Sequence, residues 1–144
     1  MLKKEDTKLI NELRKNGRKG PKEMSESIGT PISTIYEKVQ NHLPIIKRYT
    51  CLLDYSKLGY SIRATFIFKV KHREQALLFL MQNNNVNNLW KINGGYDFLL
   101  EGVFKDLLEV EELKDELQNK CKATRMQVHY MVEELKREQF ILLG

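Results

Sequence analysis

The chain of 144 residues has few cysteines and histidines and no long apolar run. Cys51 and Cys121 stand alone without metal-ligand spacing, and we interpret both as small buried hydrophobic residues in a reducing compartment. His42, His72 and His129 match no paired-ligand pattern, so we expect neither a metal nor another cofactor. No stretch reaches the roughly 18 apolar residues that a membrane helix needs, and the charged start lacks the apolar core of a signal peptide. We therefore expect a cytoplasmic protein with no membrane partner.

The charge of the chain is unevenly distributed along its length. Apolar residues make up 42% and charged residues 30%, which is typical of a globular protein and not of a disordered one. Residues 1–60 hold 12 Lys and Arg against 7 Asp and Glu, a net charge of +5, whereas residues 61–144 hold 12 against 12. This asymmetry predicts a basic module that binds a polyanion, joined to a neutral module with another role. A randomly basic surface is the alternative.

The basic module is predicted to contain three short helices. The first ends at Gly17, and the second runs from Pro21 to Gly29, because proline suits a first helical turn and glycine a helix end. The third has Thr30 as its N-cap and Pro31 at its first position. A short glycine-containing turn between two helices is the helix-turn-helix arrangement. The inner faces of the three helices are expected to carry Leu2, Leu9, Ile10, Leu13, Met24, Ile28, Ile32, Ile35 and Val39.

The third helix is predicted to read DNA, since this motif places its second helix in the major groove. Its outward side chains offer hydroxyls, an amide and charges to base edges and phosphates. The run "PIIKRYTCLL" (44–53) is β-prone and is interpreted as a wing strand whose adjacent cations neutralise phosphates. Residues 1–50 are thus predicted to form a winged helix-turn-helix, with a plain three-helix bundle as the alternative. The predicted DNA-binding residues are Thr30, Pro31, Ser33, Thr34, Tyr36, Glu37, Lys38, Gln40, Lys47 and Arg48.

Residues 51–61 are interpreted as a linker, and residues 62–144 as an α+β domain. The run "IRATFIFKV" (62–70) alternates as a half-buried strand does, and an amphipathic helix with a capping-box-like start is expected over 106–120. The whole order is β-α-β-β-α-β, a ferredoxin-like plait, with a short extra strand expected over 139–144. The residues expected to face the core are Ala64, Phe66, Phe68, Val70, Ala76, Leu77, Leu80, Met81, Leu107, Val110, Leu113, Leu117, Met126, Val128, Tyr130 and Val132.

In such a plait the helices cover one face of the sheet, and the other face stays open. Exposed apolar patches usually mark an association surface. A helix-turn-helix also gains from dimerisation, because two reading helices then address two half-sites. We therefore expect a homodimer that forms through the sheets.

The segment "NGGYD" (93–97) lies between the two β-prone runs 86–92 and 98–104. Asn93 followed by Gly94 is a strong signal for a hairpin turn. Gly94 and Gly95 would also let backbone N–H groups approach a carboxylate, and Asp97 could pair with an ammonium. The predicted effector-binding residues are Asn93, Gly94, Gly95, Tyr96 and Asp97. The alternative is a turn that binds nothing.

Five segments of the chain, taken together, resemble the leucine-responsive/asparagine-synthetase regulator family (Lrp/AsnC, the feast/famine regulators). The match runs along nearly the whole chain, and the five segments follow the order and nearly the spacing of that family. They are "EDTKLINELRKNGR" (5–18), "IGTPISTIYEKV" (28–39), "YTCLLDYSKLGYSI" (49–62), "VNNLWKINGGYDFLLEGVFKD" (86–106) and "VHYMVEELK" (128–136).

The resemblance implies a dimeric or octameric cytoplasmic transcription regulator that binds double-stranded DNA. It also implies a small effector, often an amino acid, bound between subunits near the loop 93–97. Two features depart from the family pattern: the segment between reading helix and wing is about two residues short, with His42, Leu43 and Pro44 at its start, and Lys38 stands where arginine is common. A tetrapyrrole (siroheme-type) decarboxylase and a general architectural DNA-binding protein are the alternative functions, although the histidines do not cluster in sequence as such an enzyme would need.

Overall fold

The computed structural model describes residues 2–41 and 45–143, and these form two compact units. The first, called the helical unit, contains Met1–Leu52 together with Leu135–Gly144. The second, called the sheet unit, contains Leu53–Glu134. In the described ranges no helix is long and apolar enough to cross a bilayer.

The helical unit contains the three predicted helices: α1 (Lys4–Lys15), α2 (Pro21–Ile28) and α3 (Ile32–Asn41). Proline occupies the first turn of α2, and Gly29 closes that helix in the left-handed conformation with φ 78°, which suits a residue without a side chain. Leu9, Met24 and Ile35 form a small buried core, and Leu13, Ile28 and Val39 pack against it. The helix-turn-helix arrangement is confirmed.

Two expectations for α3 are wrong in detail. The helix begins at Ile32, and the Pro31 carbonyl accepts the first helical hydrogen bond from Ile35 N at 3.0 Å. Pro31 therefore takes the capping position that was expected for Thr30, whose own side chain is buried. Ile32 is 50% exposed, because the small core of the unit does not extend to the first turn of α3.

The predicted wing strand does not form in the described residues. Residues 46–54 adopt no regular secondary structure, although Lys47 and Arg48 are exposed as expected. The shortened junction at His42, Leu43 and Pro44 lies outside the described residues. The β-branched residues of this run have no partner strand among the described residues of the helical unit, and a strand requires one.

The C-terminal segment corrects the predicted domain boundary. Residues 135–143 form no extra strand, and they belong to the helical unit instead of the sheet unit. Asn11 of α1 holds the segment through two hydrogen bonds, donating from Nδ2 to the Leu142 carbonyl and accepting from Leu142 N, each at 2.9 Å. Arg14 donates to the Phe140 carbonyl at 3.1 Å and pairs with Glu138. We call residues 135–143 the C-terminal tail.

The sheet unit is the predicted ferredoxin-like plait. A short 3-10 turn (Tyr55–Leu58) in the predicted linker precedes the first strand. The antiparallel sheet has the order β2-β3-β1-β4. Its elements are β1 (Ile62–Lys69), α4 (Arg73–Gln82), β2 (Val86–Lys91), β3 (Phe98–Phe104), α5 (Leu107–Lys120) and β4 (Thr124–Tyr130).

One face of the sheet and the two helices enclose the main core. Strand β1 alternates as predicted, with Ala64, Phe66 and Phe68 buried, and α5 starts with Asp106 accepting a hydrogen bond from Glu109 N at 3.0 Å. Not every expected core position is buried, and Val132 lies beyond β4, which ends at Tyr130. The expected core residues that are exposed are Leu77, Met81, Leu107, Tyr130 and Val132.

The two cysteines differ. Cys121 is buried in this core as expected, whereas Cys51 is exposed, contrary to the prediction.

The opposite face of the sheet, called the open face, carries both apolar and polar side chains. Strand pairing aligns Trp90, Leu99, Ile67 and Gln127 in one row across the four strands. The neighbouring row is polar and consists of Asn88, Glu101, Thr65 and His129. The apolar surface expected on this face is thus confined to part of it, with Trp90 58% exposed.

Candidate functional site

The outward surface of α3 presents most of the predicted DNA-binding side chains. Ser33, Tyr36, Glu37 and Gln40 are exposed, and Thr34 is half-buried. Residues 33, 36, 37 and 40 repeat at intervals of three and four, so they share one side of the helix. Exposed Ile32 lies beside them at the start of α3. Sequence reasoning missed this residue, because its spacing from Ile35 indicated an inner position.

Lys38 does not belong to that surface. Its Nζ lies 2.7 Å from Asp6 Oδ1 and 3.5 Å from Glu5 Oε2, and its side chain is 13% exposed. The hydrogen bond to Asp6 raises the pKa of Lys38, because the carboxylate favours the charged ammonium. The expected contact of Lys38 with DNA is therefore corrected: this cation joins α3 to α1.

Thr30 is also not available as predicted, since it is buried. Pro31, Lys47 and Arg48 are exposed. Among the described residues no ion pair involves Lys47 or Arg48, so both charges can meet an anion. The helical unit thus presents polar side chains and the carboxylate of Glu37 on α3, and two cations follow that helix in the sequence.

The predicted turn 93–97 joins β2 to β3 in a hairpin, as expected. Ile92 N donates to the Asp97 carbonyl at 3.1 Å and closes the loop. Gly94 and Gly95 both adopt the left-handed region, with φ 85° and 90°, which side chains other than glycine seldom occupy. Two adjacent glycines are therefore required by the backbone itself.

Asp97 has a structural role that the sequence did not indicate. Its side chain is buried, its Oδ2 accepts from Val70 N at 2.8 Å, and its Oδ1 accepts from Arg73 Nε at 2.9 Å. Its own N–H donates to the Phe68 carbonyl at 2.9 Å. Both oxygens are thus engaged in fixing the connection between β1 and α4. The expected role of Asp97 as the partner of a ligand ammonium does not fit this geometry.

Tyr96 joins the loop to the open face of the sheet. Its hydroxyl accepts a hydrogen bond from Gln127 Nε2 at 2.9 Å, and the Arg125 guanidinium lies 5.8 Å from the centre of its ring. Gln127 ends the apolar row of the open face. The loop is consequently adjacent to the surface that was predicted to dimerise.

A cleft of about 300 Å³ opens at the loop, and we call it the loop cleft. Three of its lining side chains are cationic. Arg73 pairs with Asp97, the one acidic side chain of the lining, whereas among the described residues Lys69 and Lys91 form no ion pair. An anionic group is therefore the ligand chemistry that this cleft favours. Its lining residues are Lys69, Arg73, Lys91, Ile92, Asn93, Gly95, Tyr96, Asp97 and Phe98.

Four of the five predicted effector-binding residues line the loop cleft, and Gly94 does not. The cations Lys69, Arg73 and Lys91 were missed. Lys69 and Arg73 come from a distant part of the sequence, and only the pairing of β1 with β3 brings them beside the loop. No local pattern indicated them.

The chain is similar to known transcriptional regulators both in sequence and in structure. No protein-family model matches the chain. An HTH-type transcriptional regulator of Pyrococcus furiosus is 32% identical over 117 residues, which is 78% of each chain. The leucine-responsive regulatory protein of Rhizobium meliloti is 29% identical over 114 residues, covering 74% of this chain and 73% of that protein. Among solved structures, a transcriptional regulator of Neisseria meningitidis in complex with L-methionine superposes with a TM-score of 0.88 at 22% identity, covering 95% of this chain and 94% of that one.

Proposed function

The chain belongs to the Lrp/AsnC family of DNA-binding transcriptional regulators, and we propose that it reads DNA with α3 and responds to a free amino acid bound in the loop cleft. The observation that carries the effector part is the composition of that cleft, which contains Lys69 and Lys91 in addition to the mutually paired Arg73 and Asp97.

The DNA-reading surface of the proposal consists of Ser33, Tyr36 and Gln40, with Ile32 beside them. Hydroxyl and amide groups can pair with base edges, and an aliphatic side chain can contact a thymine methyl group. Lys47 and Arg48 follow the helix and supply charge for phosphates. In this arrangement α3 contributes sequence preference, and the two cations contribute affinity that depends on salt.

Selection of bound sequences from random duplex DNA tests the reading surface. We expect an enriched motif with the wild type, and a relaxed motif with Ser33→Ala and Tyr36→Ala. Asn16→Ala, an exposed change outside α3, is the matched control and is expected to keep the motif. Affinity should fall roughly tenfold or more between 50 and 200 mM salt if several phosphates are neutralised. Failure to enrich any motif would favour an architectural DNA-binding protein.

The amino acid is proposed to bind with its carboxylate toward Lys69 and Lys91. Glycine residues in the loop let backbone N–H groups approach the same carboxylate. Since Asp97 is engaged elsewhere, the amide oxygen of Asn93 and the loop carbonyls are the proposed acceptors for the ammonium. The regulator of Neisseria meningitidis, solved with L-methionine, supports an amino acid as the ligand class.

Calorimetric titration with a panel of amino acids, starting with methionine and leucine, tests this site. We expect saturable binding of at least one amino acid by the wild type, and binding about tenfold weaker in Lys91→Met, because one charge-assisted hydrogen bond is lost. Lys114→Met on α5 is the matched lysine control. No heat with any amino acid, or equal weakening in the control, would contradict the proposal.

The chain is further proposed to dimerise through the open face of the sheet. The apolar row Trp90, Leu99 and Ile67 supports this, because burying it would remove exposed hydrophobic area. Tyr96 and Gln127 would then place the loop cleft beside the interface. Trp90→Glu should yield monomers in analytical ultracentrifugation, whereas Leu78→Glu on the exposed side of α4 should not.

A further inference from the structure

A second cleft lies at the end of the sheet where β1 leads into α4. It measures about 400 Å³ and is lined by Lys69, Val70, Lys71, His72, Lys122 and Thr124. We call it the lysine cleft. It shares only Lys69 with the loop cleft.

The lysine cleft collects positive charge from two separate parts of the chain. Lys69 ends β1, Lys71 lies in the connection to α4, and Lys122 lies between α5 and β4. No carboxylate lines the cleft, and within residues 2–41 and 45–143 none of these lysines forms an ion pair. Residues 61–144 carry as many acidic as basic residues, so this cluster is a local arrangement and not the result of an overall excess. Uncompensated like charges at one place attract an anion.

His72 lines the cleft together with the lysines. It directly precedes α4 and makes no side-chain capping hydrogen bond to that helix. Lysine ammonium groups and an imidazole N–H are hydrogen-bond donors, and the oxygens of a phosphate group accept charge-assisted hydrogen bonds from such donors.

We propose that the lysine cleft binds a phosphorylated small molecule through the ammonium groups of Lys71 and Lys122. The concave shape and the volume favour a small ligand, since small-molecule sites measure roughly 300–1,000 Å³. Phosphate groups could also come from the DNA backbone, and the experiment separates the two sources. The proposal does not rest on the amino acid proposed for the loop cleft, although the two clefts share Lys69.

The backbone at Lys122 allows a substitution that removes the cation without straining the fold. It adopts the left-handed conformation with φ 51°, which costs free energy for a lysine and little for a glycine. Lys122→Gly therefore removes the cation while it relaxes the backbone, so weaker binding in this variant does not reflect unfolding. Lys71→Met removes the second cation, and Lys69 is left unchanged because it also lines the loop cleft.

The test is calorimetric titration of the full chain with inorganic pyrophosphate and with ribose 5-phosphate. We expect saturable binding to the wild type and at least about tenfold weaker binding in the Lys71→Met/Lys122→Gly double variant, since two charge-assisted contacts are lost. A double variant of two lysines outside the cleft, Lys57→Met/Lys114→Met, should bind as the wild type does.

A second titration with a random duplex separates the two sources of phosphate. Under the proposal, the Lys71→Met/Lys122→Gly variant keeps the wild-type affinity and salt dependence for duplex DNA. The proposal is overturned if neither small phosphate binds the wild type, if the lysine control weakens equally, or if the cleft variant loses only DNA affinity.

Discussion

Lys38 Nζ on α3 donates a hydrogen bond to Asp6 Oδ1 on α1 over 2.7 Å, in a pair whose side chains are 13% and 6% exposed. This contact joins α3, the proposed reading helix, to α1, the first helix of the helical unit. Removing one partner of a buried pair leaves the other charge without compensation. The pair therefore positions α3, and it does so without contacting DNA.

Lys38→Met is expected to lower the free energy of unfolding by about 2 kcal/mol, through the loss of a hydrogen bond between charged groups. Chemical denaturation at neutral pH measures it. The raised pKa of Lys38 means that the stabilisation is fully present below pH 10.5 and is lost as the pH rises through the raised value. Lys38 is therefore charged near neutral pH.

The same variant distinguishes a positioning role from a phosphate contact. Lys38→Met should leave the slope of log affinity against log salt unchanged, whereas Lys47→Met should reduce it by about one, as expected for one lost phosphate contact. Equal slopes for Lys47→Met and the wild type, with a reduced slope for Lys38→Met, would reverse these assignments.

Asp97→Ala is expected to destabilise the sheet unit by about 3 kcal/mol, because Val70 N and the Arg73 guanidinium lose a buried acceptor. Urea denaturation followed by Trp90 fluorescence reports on this unit. Asp115→Ala, which removes an exposed carboxylate from α5, is the matched control and should have little effect. Similar midpoints for both variants would refute the structural role of Asp97.

The C-terminal tail is expected to stabilise α1. Asn11→Ala should cost about 1–2 kcal/mol, because two hydrogen bonds to the Leu142 backbone are lost. Hydrogen exchange should then quicken in α1 and leave the sheet unit unaffected. Removal of residues 139–144 should reproduce this effect, and Lys8→Ala on the same helix should not. A tail that merely lies on the surface would give no change in either variant.

The two cysteines should react at very different rates with a thiol reagent. Cys51 is exposed, whereas Cys121 is buried, and burial raises the pKa of its thiol. Since the thiolate is the reactive form, Cys121 should be labelled only when the sheet unit opens. Mass spectrometry of the labelled protein, with and without denaturant, measures both sites. Rapid double labelling of the folded protein would contradict the position of Cys121.

Regular periodicity made much of the fold predictable. Strand β1 alternates between large apolar and other residues, and α5 carries Val110, Leu113 and Leu117 at helical spacing, so each buries the face that the sequence indicates. The glycines at 94 and 95 similarly indicated the turn. Where burial of a continuous apolar face decides the structure, the sequence predicts both the element and its buried face.

The remaining features depend on partners that are distant in sequence. Nothing around Lys38 indicates that Asp6 of another helix will face it, and nothing around Asp97 indicates the amide of Val70. The β-prone tail was expected to be a strand, but its backbone is held by the side chains of Asn11 and Arg14 instead of a ladder. The lysines of both clefts converge only after strand pairing, and so local patterns did not reveal them.

The helical unit is assembled from two segments of the chain, one before and one after the sheet unit in the sequence. During synthesis the three helices emerge first, but Leu142 reaches Asn11 only after the whole of the sheet unit has left the ribosome. The sheet unit can therefore fold before the helical unit acquires its last contacts. Once the chain has emerged from the ribosome as far as residue 134, the sheet unit is complete while the helical unit still lacks its C-terminal tail.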